Sequence, residues 1–157
     1  MELISVRDLF KNTDAYAGKT VTVGGWVRNR RPSKQFGFIV LNDGTYFTPV
    51  QVVYNDSISN FQEISKINIG AALVVTGELV LTPNSKQPFE IQAATIEVEG
   101  PSTGDFPLQP KRHTMEFLRS IPHLRPRTNT FQAVFRVRSL AAMAIHQFFQ
   151  DRDFVYV

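Results

Sequence analysis

Cysteine is absent from this chain of 157 residues. Its absence excludes a disulfide framework, thiolate metal sites and a cysteine nucleophile, and suits a reducing compartment. No apolar run approaches the roughly 18 residues that span a bilayer. The opening Met1-Glu2-Leu3-Ile4-Ser5 lacks the basic flank and apolar core of a signal peptide. A cytoplasmic protein without a membrane segment is the expectation. Paired carboxylates placed for acid–base work are missing too, and His113, His123 and His146 show no metal-ligand spacing. Gly18-Lys19-Thr20 is no phosphate loop, because Thr13 stands where the motif needs glycine and a strand pattern follows where it needs a helix. Asn55-Asp56-Ser57 is a glycosylation sequon only in a secreted chain. Neither a catalytic residue nor a metal ligand is expected here.

What is present is a basic, core-forming chain. With 43% hydrophobic residues it can bury a core without covalent staples, and its length is one domain plus a remainder. The net charge of +3 is uneven. Residues 1–100 carry nine basic and ten acidic side chains, residues 101–157 eight and four. Within the nearly neutral first part lies a dense run, Arg28-Asn29-Arg30-Arg31-Pro32-Ser33-Lys34, with four cations and no acid. Local positive charge of this kind suits a polyanion.

Periodicity sets out the elements. Ser5-Val6-Arg7-Asp8 opens a short helix with a hydroxyl and a carboxylate three residues apart, ending by Asn12. From Lys19 the period becomes two, with Val21, Val23 and Val27 opposite Thr20, Thr22 and Trp26, and Gly24-Gly25 predicts a bend or bulge. Further strands read Phe36 to Leu41 and Thr48 to Tyr54 around the turn Asn42-Asp43-Gly44. A helical interval follows between Asn55 and Asn68, carrying Ile58, Phe61, Ile64 and Ile67. Ala71 to Leu81 and Phe89 to Glu99 give two last strands. Three strands, a helix and two strands (β-β-β-α-β-β) is the order of the five-stranded OB-fold barrel, whose strand 2 and 3 face binds oligonucleotides or oligosaccharides. The basic run is placed in the loop between strands 1 and 2.

Residues 100–110, with three prolines and two glycines, read as a hinge or linker. Thr114 to Ser120 reads as a short helix, and Pro122 and Pro126 punctuate an Arg-rich link. A long amphipathic helix then runs from a cap at Thr130, with Phe131, Val134, Phe135, Ile145 and Phe148 on its apolar stripe. Phe154 to Val157 begins a strand, and the chain is expected to be a piece of a longer protein. The domain reading is 1–100 barrel, 101–129 hinge, and 130–157 the start of a second, mainly missing domain.

Arg28, Arg30, Arg31 and Lys34 beside Phe36 and Phe38 supply charge for phosphates and rings for unpaired bases, the two components single-stranded nucleic acid needs. A solvated basic loop over two core phenylalanines is the bland alternative. Phe36, Phe38 and Val40 share one face of a strand, so part of the set is expected in the core, and alternation leaves open which ring is exposed. Gln51 can read a base edge or simply face solvent.

Gly24-Gly25-Trp26-Val27-Arg28-Asn29-Arg30-Arg31, Phe38-Ile39, Val50-Gln51-Val52, Lys111 to Arg119 and His123 to Thr130 closely resemble bacterial asparaginyl-tRNA synthetases, along the whole chain. The Gly-Trp-Val start is shared with aspartyl and lysyl enzymes of the same subclass. The stretch from Lys111 to Thr130 is the more specific to the asparaginyl type. The resemblance implies an OB-fold that binds the tRNA anticodon, a hinge, and the first long helix of a class II α+β catalytic domain. By position, it implies that Phe38 stacks on the central anticodon base, Gln51 reads that base and Arg31 contacts the anticodon loop. Arg28 and Arg30 are further basic contacts, and Glu90 touches the first anticodon base. Val53 stands where aspartyl enzymes often carry a second aromatic, so that contact is not expected. The terminal helix and strand match the family's motif 1, which forms a homodimer interface through Phe131, Val134, Phe135, Ile145 and Phe148. Motifs 2 and 3, which hold ATP and Mg²⁺ in the complete enzyme, are absent, so this chain alone is expected to be inactive. The expected partner is tRNA(Asn), not DNA. The alternatives are an aspartyl-type fragment and a nonenzymatic single-strand-binding OB protein.

Overall fold

The computed structural model describes residues 2–157 and divides into two compact units between Lys111 and Arg112. The first begins with α1 (Val6–Lys11) and α2 (Thr13–Tyr16). Ser5 caps α1 as its spacing predicts, its Oγ accepting from Asp8 N at 3.1 Å, and Val6 and Leu9 are buried. The Asp43 carboxylate accepts from Val6 N at 2.8 Å, fastening α1 to the turn after the second strand.

Five strands follow: β1 (Thr20–Pro32), β2 (Phe36–Asn42), β3 (Val50–Asn55), β4 (Ala72–Leu81) and β5 (Phe89–Gly100). They close into a barrel in the order β1-β2-β3-β5-β4, the OB-fold. The ladders are antiparallel except β3 with β5, which closes the barrel by parallel pairing. Inward positions alternate as period two requires: Val21 and Val23 on β1, Ile39 and Leu41 on β2, Val50 and Val52 on β3 are at most 1% exposed. Gly37 also faces inward, where any Cβ would collide with the Tyr54 ring, so the absence of a side chain lets that ring lie across β2.

The structure corrects several expectations. The helical interval between Asn55 and Asn68 contracts to one turn, α3 (Phe61–Ile64). Ile58, Ile64 and Ile67 are buried all the same, because spaced apolar side chains can be delivered by successive turns as well as by a helix. Asn55 favours the turn, its Oδ1 accepting from Ser57 N at 3.0 Å. The bulge expected at Gly24-Gly25 lies instead between Val27 and Asn29. At Gly24-Gly25 the strand stays in register with β4, and a Cβ on Gly25 would press on the Asn42 backbone. The basic run is not a loop, since β1 extends through Arg28, Arg30 and Arg31 to Pro32 and only residues 33–35 turn.

The second unit contains α4 (Met115–Ser120), a 3₁₀ turn at Arg125–Arg127 and α5 (Asn129–Gln150). Thr114 caps α4. The cap of α5 is Thr128 rather than Thr130, its Oγ1 accepting from Phe131 N at 3.4 Å. Residues 154–157 form no strand. Asp153 takes a left-handed φ of 64°, the chain reverses, and Phe154 and Tyr156 set their rings edge-on to Phe149 and His146 of α5. A strand needs a ladder partner, and among the described residues none pairs with this segment.

Candidate nucleic-acid interface

The outer face of β1, β2, β3 and β5 gathers most of the expected readers. Its composition follows from one bulge. Val27 points into the barrel, and uninterrupted alternation would send Arg31 inward with it. The extra residue at Arg28 reverses the phase, so Asn29 pairs with Val40 and Arg31 with Phe38 on the outside. Arg30 falls opposite the buried Ile39 and donates from Nη1 to Ser65 O at 2.8 Å, beyond α3.

On β2 the aromatic face is wholly external. Phe36 is 44% exposed, Phe38 and Val40 are half-buried, and the core is supplied by Gly37, Ile39 and Leu41. The expectation that part of the Phe36, Phe38 and Val40 set is core is therefore wrong. The aliphatic residues between them fill the interior, leaving the rings for the surface. Phe36 meets Phe38 edge-on, with centroids 5.6 Å apart and planes at 90°. The Arg31 guanidinium carbon lies 5.3 Å from the Phe38 centroid, a cation–π contact that holds charge beside the ring.

Register continues the row across the sheet. Phe38 is level with Val53 of β3, and Val53 with Gln92 of β5. Val40 is level with Gln51, whose Nε2 donates to Glu90 Oε2 at 3.2 Å. Glu90 Oε1 accepts from Gln92 Nε2 at 2.8 Å. Charge, rings and amides thus lie on one accessible surface, the combination that suits splayed bases on a phosphate backbone. Among the described residues no three His, Asp or Glu side chains are grouped as metal ligands.

A profile of the OB-fold nucleic acid binding domain, tRNA anticodon type, matches residues 21–99. The chain belongs to this family. It is 60% identical over 156 residues to the asparagine–tRNA ligase of Alkaliphilus oremlandii, and 57% identical over 157 residues to that of Bacillus cereus. These matches cover 99% and 100% of the chain, which spans 34% of each relative's length. Among solved structures, the asparaginyl-tRNA synthetase of Pyrococcus horikoshii superposes with a TM-score of 0.83 at 21% identity, covering 97% of this chain and 35% of that one. The aspartyl-tRNA synthetase of Entamoeba histolytica gives 0.80 at 19%, covering 100% and 39%. At such identities the likeness is one of fold.

Of the residues singled out by sequence, the face unites Arg31, Phe38, Gln51 and Glu90. Arg28 sits half-buried at the bulge, and Arg30 does not join the cluster. Gln92 and Asn29 were overlooked. Gln92 had a readable signal, because a residue two positions after Glu90 on a strand shares its face. Asn29 had none, since its outward orientation depends on the bulge. In the second unit Phe131 is buried, whereas Val134, Phe135, Ile145 and Phe148 of α5 are exposed. Arg125 lies over the Phe131 and Phe135 rings, at 4.9 and 5.9 Å from their centroids.

Proposed function

We propose that this chain is the anticodon-reading part of an asparagine–tRNA ligase, whose complete form activates asparagine with ATP and transfers it to tRNA(Asn). The observation that carries the reading is the outer barrel face, where register sets Arg31 beside Phe38 and places Gln51 on the same side beside the neighbouring Val40. Phe38 stacks on the central anticodon base, Gln51 hydrogen-bonds its edge, and Arg31 neutralises a phosphate of the loop. Arg30 supports the site from below by holding Ser65 O. Identity of 54–60% to asparagine–tRNA ligases over at least 99% of the chain supports the asparaginyl type over the aspartyl one.

The proposed complete protein is a cytoplasmic homodimer in which the apolar stripe of α5 is covered. ATP and Mg²⁺ belong to the remainder of that enzyme. Among the described residues no helix is long and apolar enough to cross a membrane.

Binding separates this reading from a general single-strand binder. The chain should hold an asparagine-type anticodon stem-loop more than tenfold tighter than a random DNA oligomer of equal length and charge at the same salt. Equal affinities would favour the nonenzymatic OB protein.

A further inference from the structure

Residues 100–110 read as a hinge or linker in sequence, yet the structure ties them to the barrel. The tie is built on Gly70, in the turn between α3 and β4. Its φ of 89° lies in the left-handed region, which an L side chain adopts only with strain. A Cβ there would stand 2.9 Å from three atoms of the Phe106 ring, so the ring occupies the space that glycine leaves open. Gly70 is itself held, its N–H donating to Val27 O at 2.8 Å while Val27 N–H donates to Ala71 O at 2.9 Å. A second tie joins Asn68 Nδ2 to Ser102 O at 2.8 Å. Between the two ties Phe106 N donates to Thr103 O at 3.2 Å and closes a turn, and beyond them Gln109 Nε2 donates to Phe106 O at 2.7 Å. The first compact unit accordingly runs to Lys111. We propose that residues 101–109 are a strap latched to the barrel by Phe106, and that the freedom between the two units is confined to the link formed by residues 110–114.

Few ties suffice because little entropy opposes them. Pro101, Pro107 and Pro110 each fix φ, so the segment has fewer conformations to lose on docking than an ordinary linker of its length. The consequence is one of reach. An extended chain spans at most about 3.5 Å per residue, so residues 110–114 reach roughly 15 Å, against roughly 45 Å for a wholly free 101–114. The latch shortens the tether between the units to about a third. It stands whether or not the barrel reads an anticodon.

The chain has no cysteine, so spin labels can be placed at chosen sites without background. The test compares pulsed electron–electron distance distributions of two labelled pairs, diluted with unlabelled chain so that association adds no distances. Glu78→Cys with Gly104→Cys runs from β4 to the strap, where a Cβ at Gly104 would meet nothing within 4 Å. Glu78→Cys with Ser139→Cys runs from β4 to α5. The first pair should give a distribution at most half as wide as the second. Phe106→Ala should at least double the width of the first while the barrel melts like wild type, since Phe106 lies outside the buried core cluster. A first pair as broad as the second in the chain with its ring intact would overturn the latch. A narrow first pair unmoved by Phe106→Ala would overturn the role given to the ring. A second pair as narrow as the first would overturn the free link.

Discussion

Phe38 and Ile39 are adjacent in sequence yet answer to different forces. Ile39 is fully buried, and its truncation to alanine should cost about 2–5 kcal/mol of stability through lost transfer energy and a cavity. Phe38 lies on the outer face, so Phe38→Ala should leave the melting transition nearly unchanged while weakening stem-loop binding by about 1–3 kcal/mol, one base's stacking. Loss of folding in Phe38→Ala would reverse that assignment. Arg31 acts by charge, and Arg31→Ala should lower the slope of log affinity against log salt by about 0.7, one phosphate on a single strand. Arg30→Ala should leave the slope nearly intact and lower stability instead, because its guanidinium is spent on Ser65 O. Paired salt titrations and thermal melts of the two variants check both statements.

At the scale of elements, α5 stands out for what it leaves uncovered. Val134 is 49% exposed, Leu140 72% and Ile145 59%, along a helix of 22 residues in which Phe131 and Gln132 are the buried positions. Its beginning is well specified by the Thr128 cap and by Arg125 over the first rings. An apolar stripe of this extent favours association. The average mass measured by light scattering should therefore rise with concentration, and Ile145→Glu should suppress the rise. A wild-type chain that stays monomeric at all concentrations would contradict this. The α3 interval teaches a different lesson, since four apolar residues at helical spacing are buried or half-buried with a single turn of helix.

On the scale of the whole molecule, the proposed function divides binding from catalysis. The barrel carries the proposed reading face, while the chain spans 34% of its curated relatives' length. Under that proposal, the cations that hold the ATP phosphates and the carboxylates that hold Mg²⁺ belong to the remainder of the enzyme. The isolated chain should show no asparagine-dependent pyrophosphate exchange above background, at concentrations where it binds the stem-loop. Turnover by the pure chain would show that this division of labour is wrong.

The order of the strands and most of the core were legible in sequence, because alternation as in Val50-Gln51-Val52 is a local consequence of half-buried strands. Helix starts at Ser5 and Thr114 were legible for the same reason, since a cap acts within one turn. Resemblance pointed to Phe38, Gln51 and Arg31 without giving their geometry. Which arginine stands beside Phe38 was decided only in three dimensions. A bulge at Arg28 depends on how β1 is paired with β2, and its one extra residue turns Arg31 outward and Arg30 inward. The same holds for the rings of β2, where alternation yields two faces and barrel closure decides which is inside. The Gln51–Glu90–Gln92 junction joins strands 39 residues apart through parallel β3–β5 pairing, a contact that no local pattern encodes.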